Sequence, residues 1–370
     1  MAKIPEPVHT YTTATAIVQW YEKKIDEPRP HLGASEIGRP CDRALWLDFR
    51  WVTKKKFSGR IKRLFDTGFR EEVRFLEELR GIGAEVYDRD PETKRQHSFK
   101  AVGNHFGGSC DAIGRGFPEA PKTWCIVEFK THGEKSFNDL VKNGVEQAKP
   151  EHYAQMQVYM GLAELDRALY LAVNKNTDEL HSEWIHFDKS AFTALLERAE
   201  KIIYADEPPA GISIDPAWYQ CKLCDHRDVC FGEKAAMKSC RTCVHVTPIN
   251  GGWRCDSQTR ELSVEEQRVG CRSHLTLPSL VGYAEAIDGG EGFIKYQHKD
   301  NGLVFANCTE EADRGEENMG TDIVACFTSS ELAVAVRKIV ADNEFAHFKS
   351  AFPDSRLVES SVIEDEDIPL

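Results

Sequence analysis

The spacing of apolar residues along the first two thirds of the chain predicts amphipathic helices that alternate with short strands. In the helices, apolar positions recur every three or four residues; the strands are short runs rich in Val, Ile, Leu and Phe. The predicted helices are 13–24, 63–80, 136–144, 151–165 and 191–205, and the predicted strands are 109–113, 124–129 and 167–173. This order of elements predicts an α/β fold with a central mixed sheet flanked by helices.

Two of these strands flank a Gly- and Pro-rich connection and form a predicted hairpin that carries polar side chains. The first strand contains Asp111, and the second contains Glu128 with Lys130 two positions later. Alternate residues of a strand share a face, so Glu128 and Lys130 lie on one side while Val127 and Phe129 point into a core. Two carboxylates and a lysine on one sheet face make an acidic metal pocket suited to phosphodiester hydrolysis. The alternative is an exposed cross-strand ion pair.

A third acid lies on the apolar face of the helix predicted over 63–80. At 100° per residue, Glu72 falls in the middle of that face. A carboxylate on a buried face costs several kcal/mol unless it is paired or bound to a metal. Glu72 is therefore either a metal ligand or the partner of a buried Arg or Lys. The apolar residues of the predicted stripe are Phe65, Phe69, Val73, Leu76 and Leu79.

The overall charge limits how the chain can bind nucleic acid. Lys and Arg number 47 against 60 Asp and Glu, which gives a formal net charge of −13. Such a protein does not hold DNA through its overall field, so DNA contacts require a local basic patch. A basic loop is the best candidate, although an ordinary solvated loop has the same composition. Its cations are Lys54, Lys55, Lys56, Arg60, Lys62 and Arg63.

No apolar run approaches the roughly 20 residues of a membrane span, and no signal-peptide core is present at the N-terminus. The sequence therefore predicts a soluble, intracellular protein. Twelve cysteines in an intracellular chain favour metal binding over disulfides.

The cysteines form two spaced sets. Cys221, Cys224 and Cys230 follow a C-x2-C-x5-C pattern, which suits a soft metal centre but lacks a fourth ligand nearby. The second set flanks a Gly-Gly-Trp turn and predicts a small, closed, structural zinc module, with His274 as a spare ligand. Unliganded thiols are the alternative for this set. Its members are Cys240, Cys243, Cys255 and Cys271, whereas Cys110, Cys125, Cys308 and Cys326 are predicted as core residues.

The hairpin resembles the PD-(D/E)XK nuclease superfamily, in its RecB-like branch close to phage-type exonucleases, over about residues 32–230. The matching residues are Asp111 in Gly-Ser-Cys-Asp, without the Pro of the superfamily's name, and Glu128-Phe-Lys130. The resemblance implies a restriction-endonuclease-like core in which both acids bind Mg²⁺ or Mn²⁺, with Glu72 and the Phe129 carbonyl completing the shell. Lys130 would orient or help deprotonate the attacking water.

The same resemblance extends to other parts of the chain. Gln155 and Tyr159 match a Q-x-x-x-Y motif whose side chains line the DNA path beside the metal. A lone early cysteine, Cys41, together with the C-x2-C-x5-C set resembles the [4Fe–4S] staple of AddB-type nucleases, with a structural role. Zinc on the same ligands is the alternative. Independently, Lys175 follows a predicted core strand and is a candidate phosphate contact or a plain loop lysine.

Beyond Pro278 the sequence predicts a small α+β domain with no recognised function. A hairpin is predicted from 293–296 and 303–306, and a capping box at 328–331 begins a helix predicted to reach Val340. The acidic tail 364–370 resembles the C-terminal tip of bacterial single-strand DNA-binding proteins. It implies a partner from a single-strand annealing or single-strand-binding system; an ordinary acidic tail is the alternative.

Together these features predict four segments: a nuclease domain with an iron–sulfur staple over 1–235, a zinc module over 236–280, the α+β domain over 281–357 and a tail over 358–370. The resemblance implies a metal-dependent DNA exonuclease, acting in phage or mobile-element recombination or repair in the cytoplasm of a bacterial or phage-infected cell. A structure-specific endonuclease and a non-catalytic DNA-binding scaffold are the alternatives. The intact acids, Lys130 and Gln155 favour an enzyme.

Overall fold

The computed structural model describes residues 11–312, 323, 325–352, 355 and 357. The chain divides into two compact units. Unit 1 comprises Met1–Arg39 and Lys55–Glu200, and unit 2 comprises Pro40–Lys54 and Lys201–Leu370. No helix in the described ranges is long and apolar enough to cross a membrane. The finer predicted division at 235 and 280 falls inside unit 2 and stays a prediction, and the tail 358–370 lies outside the described residues.

The described chain contains both helices and strands, and several strands follow one another directly. The strands are β1 Leu32–Gly33, β2 Glu85–Tyr87, β3 Ser98–Ala101, β4 Phe106–Ser109, β5 Ala112–Arg115, β6 Cys125–His132, β7 Arg167–Asn174, β8 Leu180–His186, β9 Val246–Ile249, β10 Gly252–Cys255, β11 Arg260–Leu262, β12 Ala284–Gly290, β13 Phe293–His298, β14 Val304–Cys308 and β15 Ala325–Thr328. The helices are α1 Thr13–Glu22, α2 Asp42–Phe49, α3 Gly59–Gly81, α4 Glu134–Ala148, α5 Pro150–Ala163, α6 Lys189–Ile203, α7 Tyr219–Lys222, α8 Arg227–Cys230, α9 Val264–Val269, α10 Ser329–Val334, α11 Arg337–Val340 and α12 Asn343–Ala351.

Unit 1 is built on a five-stranded mixed sheet in the order β2-β5-β6-β7-β8. Strands β6 and β7 are parallel and the other pairs are antiparallel. The parallel pair requires a crossover, which α4 and α5 supply. Unit 1 also contains a smaller sheet in the order β1-β4-β3. The predicted mixed α/β architecture is confirmed.

The core of unit 1 lies between β6 and the C-terminal half of α3. Val127 and Phe129 are buried there, as predicted, and the Phe129 ring stacks on Phe75 with ring centres 5.1 Å apart. Leu79, one turn later on α3, belongs to the same buried cluster. This packing fixes the helix over the strand that carries Glu128 and Lys130.

The predicted apolar stripe of α3 is wrong in its N-terminal half. Phe65, Phe69 and Val73 are 47%, 63% and 57% exposed. That half of the helix packs against α1 through Gly59 instead, where an added Cβ would lie 2.0 Å from the Val18 carbonyl oxygen. The stripe follows the helical period, but only the last two turns of the helix reach the core.

The run predicted as one strand over 109–113 is interrupted. β4 ends at Ser109 and β5 begins at Ala112, because the chain leaves its pairing with β3 and joins the central sheet beside β6. Asp111 lies at this change of partner. The break therefore places Asp111 between the end of β4 and the start of β5.

Unit 2 contains two further sheets, β11-β10-β9 and β12-β13-β14-β15. The predicted hairpin is confirmed as β13 and β14, and the capping box is confirmed at Thr328 and Glu331. The single helix predicted up to Val340 is wrong. α10 ends at Val334 because Ala335 and Val336 are extended, and Val336 forms a bridge with Lys234.

Candidate metal-dependent hydrolytic site

The strand register brings the two predicted acids and the lysine together in unit 1. Ala112 pairs with Val127, so Asp111 lies beside Glu128. The Phe129 N–H donates a hydrogen bond of 2.7 Å to Asp111 Oδ2. The Lys130 ammonium donates to Glu128 Oε1. Two neighbouring strands thus hold an acid–acid–lysine group with little freedom.

Electrostatics places Glu72 at the same group. Burial and the nearby Asp111 raise the pKa of Glu72 to about 7, and Lys130 opposes that rise. Burial also raises the pKa of Glu128, with Asp111 and Glu72 raising it further and Lys130 lowering it. Each carboxylate therefore lies within electrostatic reach of the others. The acid on α3 therefore acts electrostatically on the two acids of the sheet.

Lys130 remains a cation in this surrounding. Burial disfavours its charged form, but Glu128, Asp111 and Glu72 together raise its pKa above the ordinary value. Its side chain is 22% exposed, and that of Glu128 is 1% exposed. The Lys130 ammonium is thus a fixed positive charge that a phosphate group can approach from the solvent.

The carboxylates fit a hard divalent cation, although they are not arranged around one. In the described part of the chain, no group of three or more His, Cys, Asp or Glu side chains stands at the spacing of a formed metal site. Instead, Lys130 donates to Glu128 Oε1 and the Phe129 N–H donates to Asp111 Oδ2. The other oxygen of Glu128, Oε2, is buried with no hydrogen-bond partner. That orphaned oxygen is the position from which a cation could be held. A Mg²⁺ or Mn²⁺ site stays a prediction.

Gln155 and Tyr159 lie on one face of α5 and enter the same site. Gln155 Nε2 is 3.4 Å from the Tyr159 hydroxyl, and both side chains are buried. Tyr159 packs against Gly108 of β4, where an added Cβ would lie 2.6 Å from the hydroxyl oxygen. Because residue 108 has no side chain, the Tyr159 hydroxyl can occupy this position without a steric clash.

These residues line a cleft of about 520 Å³. Asp111, Glu128 and Lys130 lie in it together with Gln155 and Tyr159. Sequence reasoning missed other lining residues, namely Arg29, His31, Ser35, Lys100, Glu151 and His152. The volume falls within the usual range of ligand pockets.

Arg29 and Ser35 reach the cleft through a pairing that no local pattern predicts. Strand β1 is two residues long and pairs in parallel with β4, which aligns Leu32 with Phe106. Arg29 Nη1 donates a 3.0 Å hydrogen bond to Ser35 Oγ. The segment before α2 therefore lines the same cleft as Asp111 and Glu128. Its only signal in the sequence is the pair of turn residues Pro28 and Pro30.

A neutral hydrogen-bond network of Tyr170, His132 and His152 lies next to Glu128 in the sheet. The Tyr170 hydroxyl lies 2.8 Å from His132 Nε2 and 2.9 Å from His152 Nδ1. Tyr170 is aligned with Glu128 in the sheet register. Burial, with nearby lysines, lowers the pKa of His132 to about 4 and that of His152 to about 3. His152 therefore presents a neutral ring to the cleft.

The predicted DNA-binding cations are divided between exposed and engaged side chains. Lys62 is 8% exposed and pairs with Asp26 at 2.8 Å, so its charge is used within the protein. Lys55 pairs with Glu36 at 3.4 Å. The exposed members of the set are Lys54, Lys56, Arg60, Arg63 and Lys175.

The first cysteine set lies in unit 2, where Cys41 precedes α2. Burial raises the pKa of Cys221, and the charges of Cys230 and Cys41 raise it further. Cys224 follows closely, since its N–H donates to the Cys221 carbonyl at 3.1 Å. An iron–sulfur cluster on these thiols stays a prediction.

The second cysteine set also converges within unit 2. Cys240, Cys243, Cys255 and Cys271 line one void of about 20 Å³. Burial, together with the charges of the other three thiols, raises the pKa of Cys240 to about 12. The predicted spare ligand, His274, lines the same void with its Nε2 2.8 Å from the Ser239 carbonyl oxygen. Zinc at these thiols stays a prediction.

No protein-family model matches the chain, and no curated protein matches it. Among solved structures, the chain is similar to SSO0001 at 15% identity, with a TM-score of 0.34 over 58% of this chain and 92% of that one. It is also similar to an alkaline exonuclease from Laribacter hongkongensis, at 16% identity and a TM-score of 0.31 over 47% and 87% of the two chains. A phage-related exonuclease from Haemophilus somnus is similar at 12% identity, with a TM-score of 0.32 over 46% and 92%. At this level of similarity, the functional assignment rests on the side chains of the cleft.

Proposed function

We propose that unit 1 is a divalent-metal-dependent DNA nuclease acting on strand ends. The observation that supports this most is the grouping of Asp111, Glu128 and Lys130 at one cleft, where a buried Glu128 oxygen has no hydrogen-bond partner and the nearby Glu72 raises the pKa of Glu128. Buried acids held beside a lysine cost stability, so such a group is typical of a functional site.

The residues that would hold the cation are Asp111, Glu128 and Glu72, with the Phe129 carbonyl. Bound Mg²⁺ or Mn²⁺ would supply Lewis-acid stabilisation of the phosphate and a more acidic water. The Phe129 N–H keeps Asp111 oriented through its 2.7 Å hydrogen bond. Lys130 provides a positive charge for the scissile phosphate and positions the attacking water.

The other cleft residues bind and orient the DNA. Gln155 and Tyr159 present an amide and a hydroxyl that can donate to phosphate or sugar oxygens. Arg29 and Lys100 add positive charge to the cleft wall. The cleft thus carries three cations beside the acids Asp111, Glu128 and Glu151. In a chain of net charge −13, these cations give a polyanionic substrate local positive charge to bind.

The test uses anaerobically purified protein, Mg²⁺, and equal amounts of end-labelled linear and covalently closed circular DNA. We expect digestion of the linear substrate alone, with loss of activity in Asp111→Asn and Lys130→Ala. Lys142→Ala removes an exposed lysine outside the cleft and is the matched control. Cleavage of circles would instead identify an endonuclease. Binding without cleavage of either substrate would identify a scaffold and refute the enzyme.

We further propose a structural [4Fe–4S] cluster on Cys41, Cys221, Cys224 and Cys230. Its support is that the early segment is already joined to the later chain within unit 2. Arg43 Nε donates to the Pro209 carbonyl at 2.8 Å, and Trp46 Nε1 donates to the Ala205 carbonyl at 2.9 Å. A cluster would close the same long loop covalently.

Structural zinc on the second cysteine set is a separate proposal. Arg241, the residue after the first of these thiols, has its guanidinium carbon 3.7 Å from the Trp51 ring centre and donates to the Phe49 carbonyl at 2.8 Å. A four-thiolate site would hold this arginine in place and so secure residues 40–54 within unit 2.

The acidic tail 364–370, outside the described residues, is proposed to recruit a single-strand annealing or single-strand-binding partner. Deleting these seven residues should weaken that binding in pull-downs with the purified partner. Unchanged capture would reject the proposal.

A further inference from the structure

The N-terminal half of α3 and the turn before it expose large aromatic side chains. Phe57, Phe65 and Phe69 are 37%, 47% and 63% exposed. The Phe57 and Phe65 rings meet edge to face, with centres 5.2 Å apart. We name these three residues the aromatic ridge. Clustered exposed rings are uncommon on soluble proteins and mark binding surfaces.

The aromatic ridge lies in a strongly cationic part of an acidic chain. Residues 55–70 contain six Lys and Arg against the single acid Asp66, whereas the whole chain carries −13. Lys55, Lys62 and Arg70 are engaged by acidic partners. The cations left at the surface beside the rings are Lys56, Arg60 and Arg63.

Rings and cations in alternation fit one class of partner best. A protein-packing surface would lack the cations, and a duplex backbone would have no use for exposed phenyl rings. Single-stranded nucleic acid uses both, since its bases stack on aromatic side chains while its phosphates meet Lys and Arg.

Two members of the aromatic ridge, Phe65 and Phe69, lie on the same helix as Glu72. Phe69 and Phe65 precede Glu72 by three and seven residues, so they lie about 4.5 and 10.5 Å from it along the axis. At 100° per residue they are about 60° and 20° from it around the axis. A strand lying along this helix face would pass Glu72, whose charge acts on Glu128 and Lys130 of the cleft.

We infer that the aromatic ridge binds single-stranded DNA by base stacking and leads that strand to the cleft. This inference rests on the proposed nuclease function of the cleft and adds the form of the substrate. Phe65 and Phe69 hold unstacked bases, and Arg60 and Arg63 hold the adjoining phosphates.

The first experiment measures affinity without cleavage, by fluorescence anisotropy of a labelled oligodeoxythymidylate in EDTA with the full chain. Phe65→Ala/Phe69→Ala should bind at least about 30-fold more weakly, at the lower end of stacking effects for two rings. Phe348→Ala/Phe352→Ala is the matched control, because these rings are 52% and 57% exposed and also lie four residues apart. Restoration by Trp but not by Leu at positions 65 and 69 would identify stacking.

The salt dependence of DNA affinity distinguishes the contribution of the arginines from that of the phenylalanines. Each phosphate contact on a single strand contributes about 0.7 to the slope of log affinity against log salt. Arg60→Ala/Arg63→Ala should therefore reduce the slope by about 1.4. The double phenylalanine variant should leave the slope unchanged, because stacking releases no counterions.

A second substrate distinguishes failure of this inference from failure of the proposed function. Hydrolysis of thymidine 5′-(p-nitrophenyl phosphate) with Mn²⁺ reports the chemistry without a polymer, and the ridge variant should retain it. If the wild type hydrolyses this ester but the ridge variant binds DNA within twofold of wild type, the inference is overturned and the nuclease stands. Unchanged DNA affinity with a changed mass by light scattering would make the ridge an interface between copies of the chain. If the wild type hydrolyses neither ester nor DNA, the nuclease itself is refuted.

Discussion

Replacing Gly108 by alanine tests the most constrained contact of the cleft. The added Cβ would lie 2.6 Å from the Tyr159 hydroxyl and 3.4 Å from the nearest ring carbons. An ordinary contact begins at about 3.4 Å, so the hydroxyl must move by about 0.8 Å. Residue 108 has no left-handed backbone angle, and alanine is therefore tolerated by the main chain.

A displacement of this size should impair catalysis much more than folding. Moving a positioning group by about 1 Å can cost on the order of 100-fold in rate, equivalent to about 2.7 kcal/mol of transition-state stabilisation. We expect Gly108→Ala to reduce kcat/KM on linear DNA by about 10- to 100-fold, with a melting temperature close to that of the wild type.

A double-mutant cycle shows whether the loss arises from this contact. Tyr159→Phe removes the oxygen that the new methyl group meets, so Gly108→Ala/Tyr159→Phe should be no worse than Tyr159→Phe alone. Gly81→Ala is the control, since no atom lies within 4 Å of a Cβ there. Wild-type kcat/KM for Gly108→Ala would show that the Tyr159 hydroxyl needs no fixed position, and additive losses would place the defect elsewhere.

Three further predictions concern unit 2. Glu331→Gln should lower the melting temperature at neutral pH, because it removes the buried partner 2.5 Å from the Lys349 ammonium, a loss of about 3–5 kcal/mol. Burial alone would raise the pKa of Glu331, but hydrogen bonds from Lys349, Thr328 and Leu357 lower it on balance. Its contribution is thus present above the ordinary pKa of 4.5 and lost as pH falls through the lowered value; a variant with the wild-type acid profile would contradict this. Cys240→Ser should abolish bound zinc in elemental analysis while Cys308→Ser retains it, and equal zinc in both would exclude the site. Cys224→Ser should remove iron and the absorbance near about 400 nm, whereas Cys110→Ser should keep both.

The chemistry of the cleft could be predicted from the sequence where it depends on local spacing. Glu128 and Lys130 share a strand face because the side-chain period of a strand is two, and Gln155 and Tyr159 share a helix face because they are four apart. The prediction of Glu72 started from an apolar face whose neighbouring members Phe69 and Val73 are exposed, and its role as a metal ligand stays a prediction. In each case one element fixes the direction of the side chain.

What could not be predicted depends on how elements meet. Arg29 and Ser35 enter the cleft through a two-residue parallel pairing of β1 with β4, and two residues carry no periodic signal. Phe65 and Phe69 are exposed because α3 extends beyond the core. The spacing of apolar residues shows which side of a helix is apolar, but it does not show where along the helix the core ends. Lys62 has the composition of a surface cation, yet Asp26 and the Lys24 carbonyl enclose it. Length, register and partner choice are set by tertiary contacts.

Helix α3 links the two functional proposals physically. Its last turns are fixed in the core by Phe75 and Leu79. This packing keeps Glu72 in its position although burial and the nearby Asp111 disfavour its charged form and raise its pKa. The preceding turns have no such core contact for Phe65 and Phe69, so the same apolar period that buries one end of the helix exposes the other. A rigid helix anchored at the acids and exposed beyond them can hold a strand at a fixed distance from the reacting phosphate. The position of the substrate and the position of the metal ligand would then be set by one element, which limits the misalignment between them.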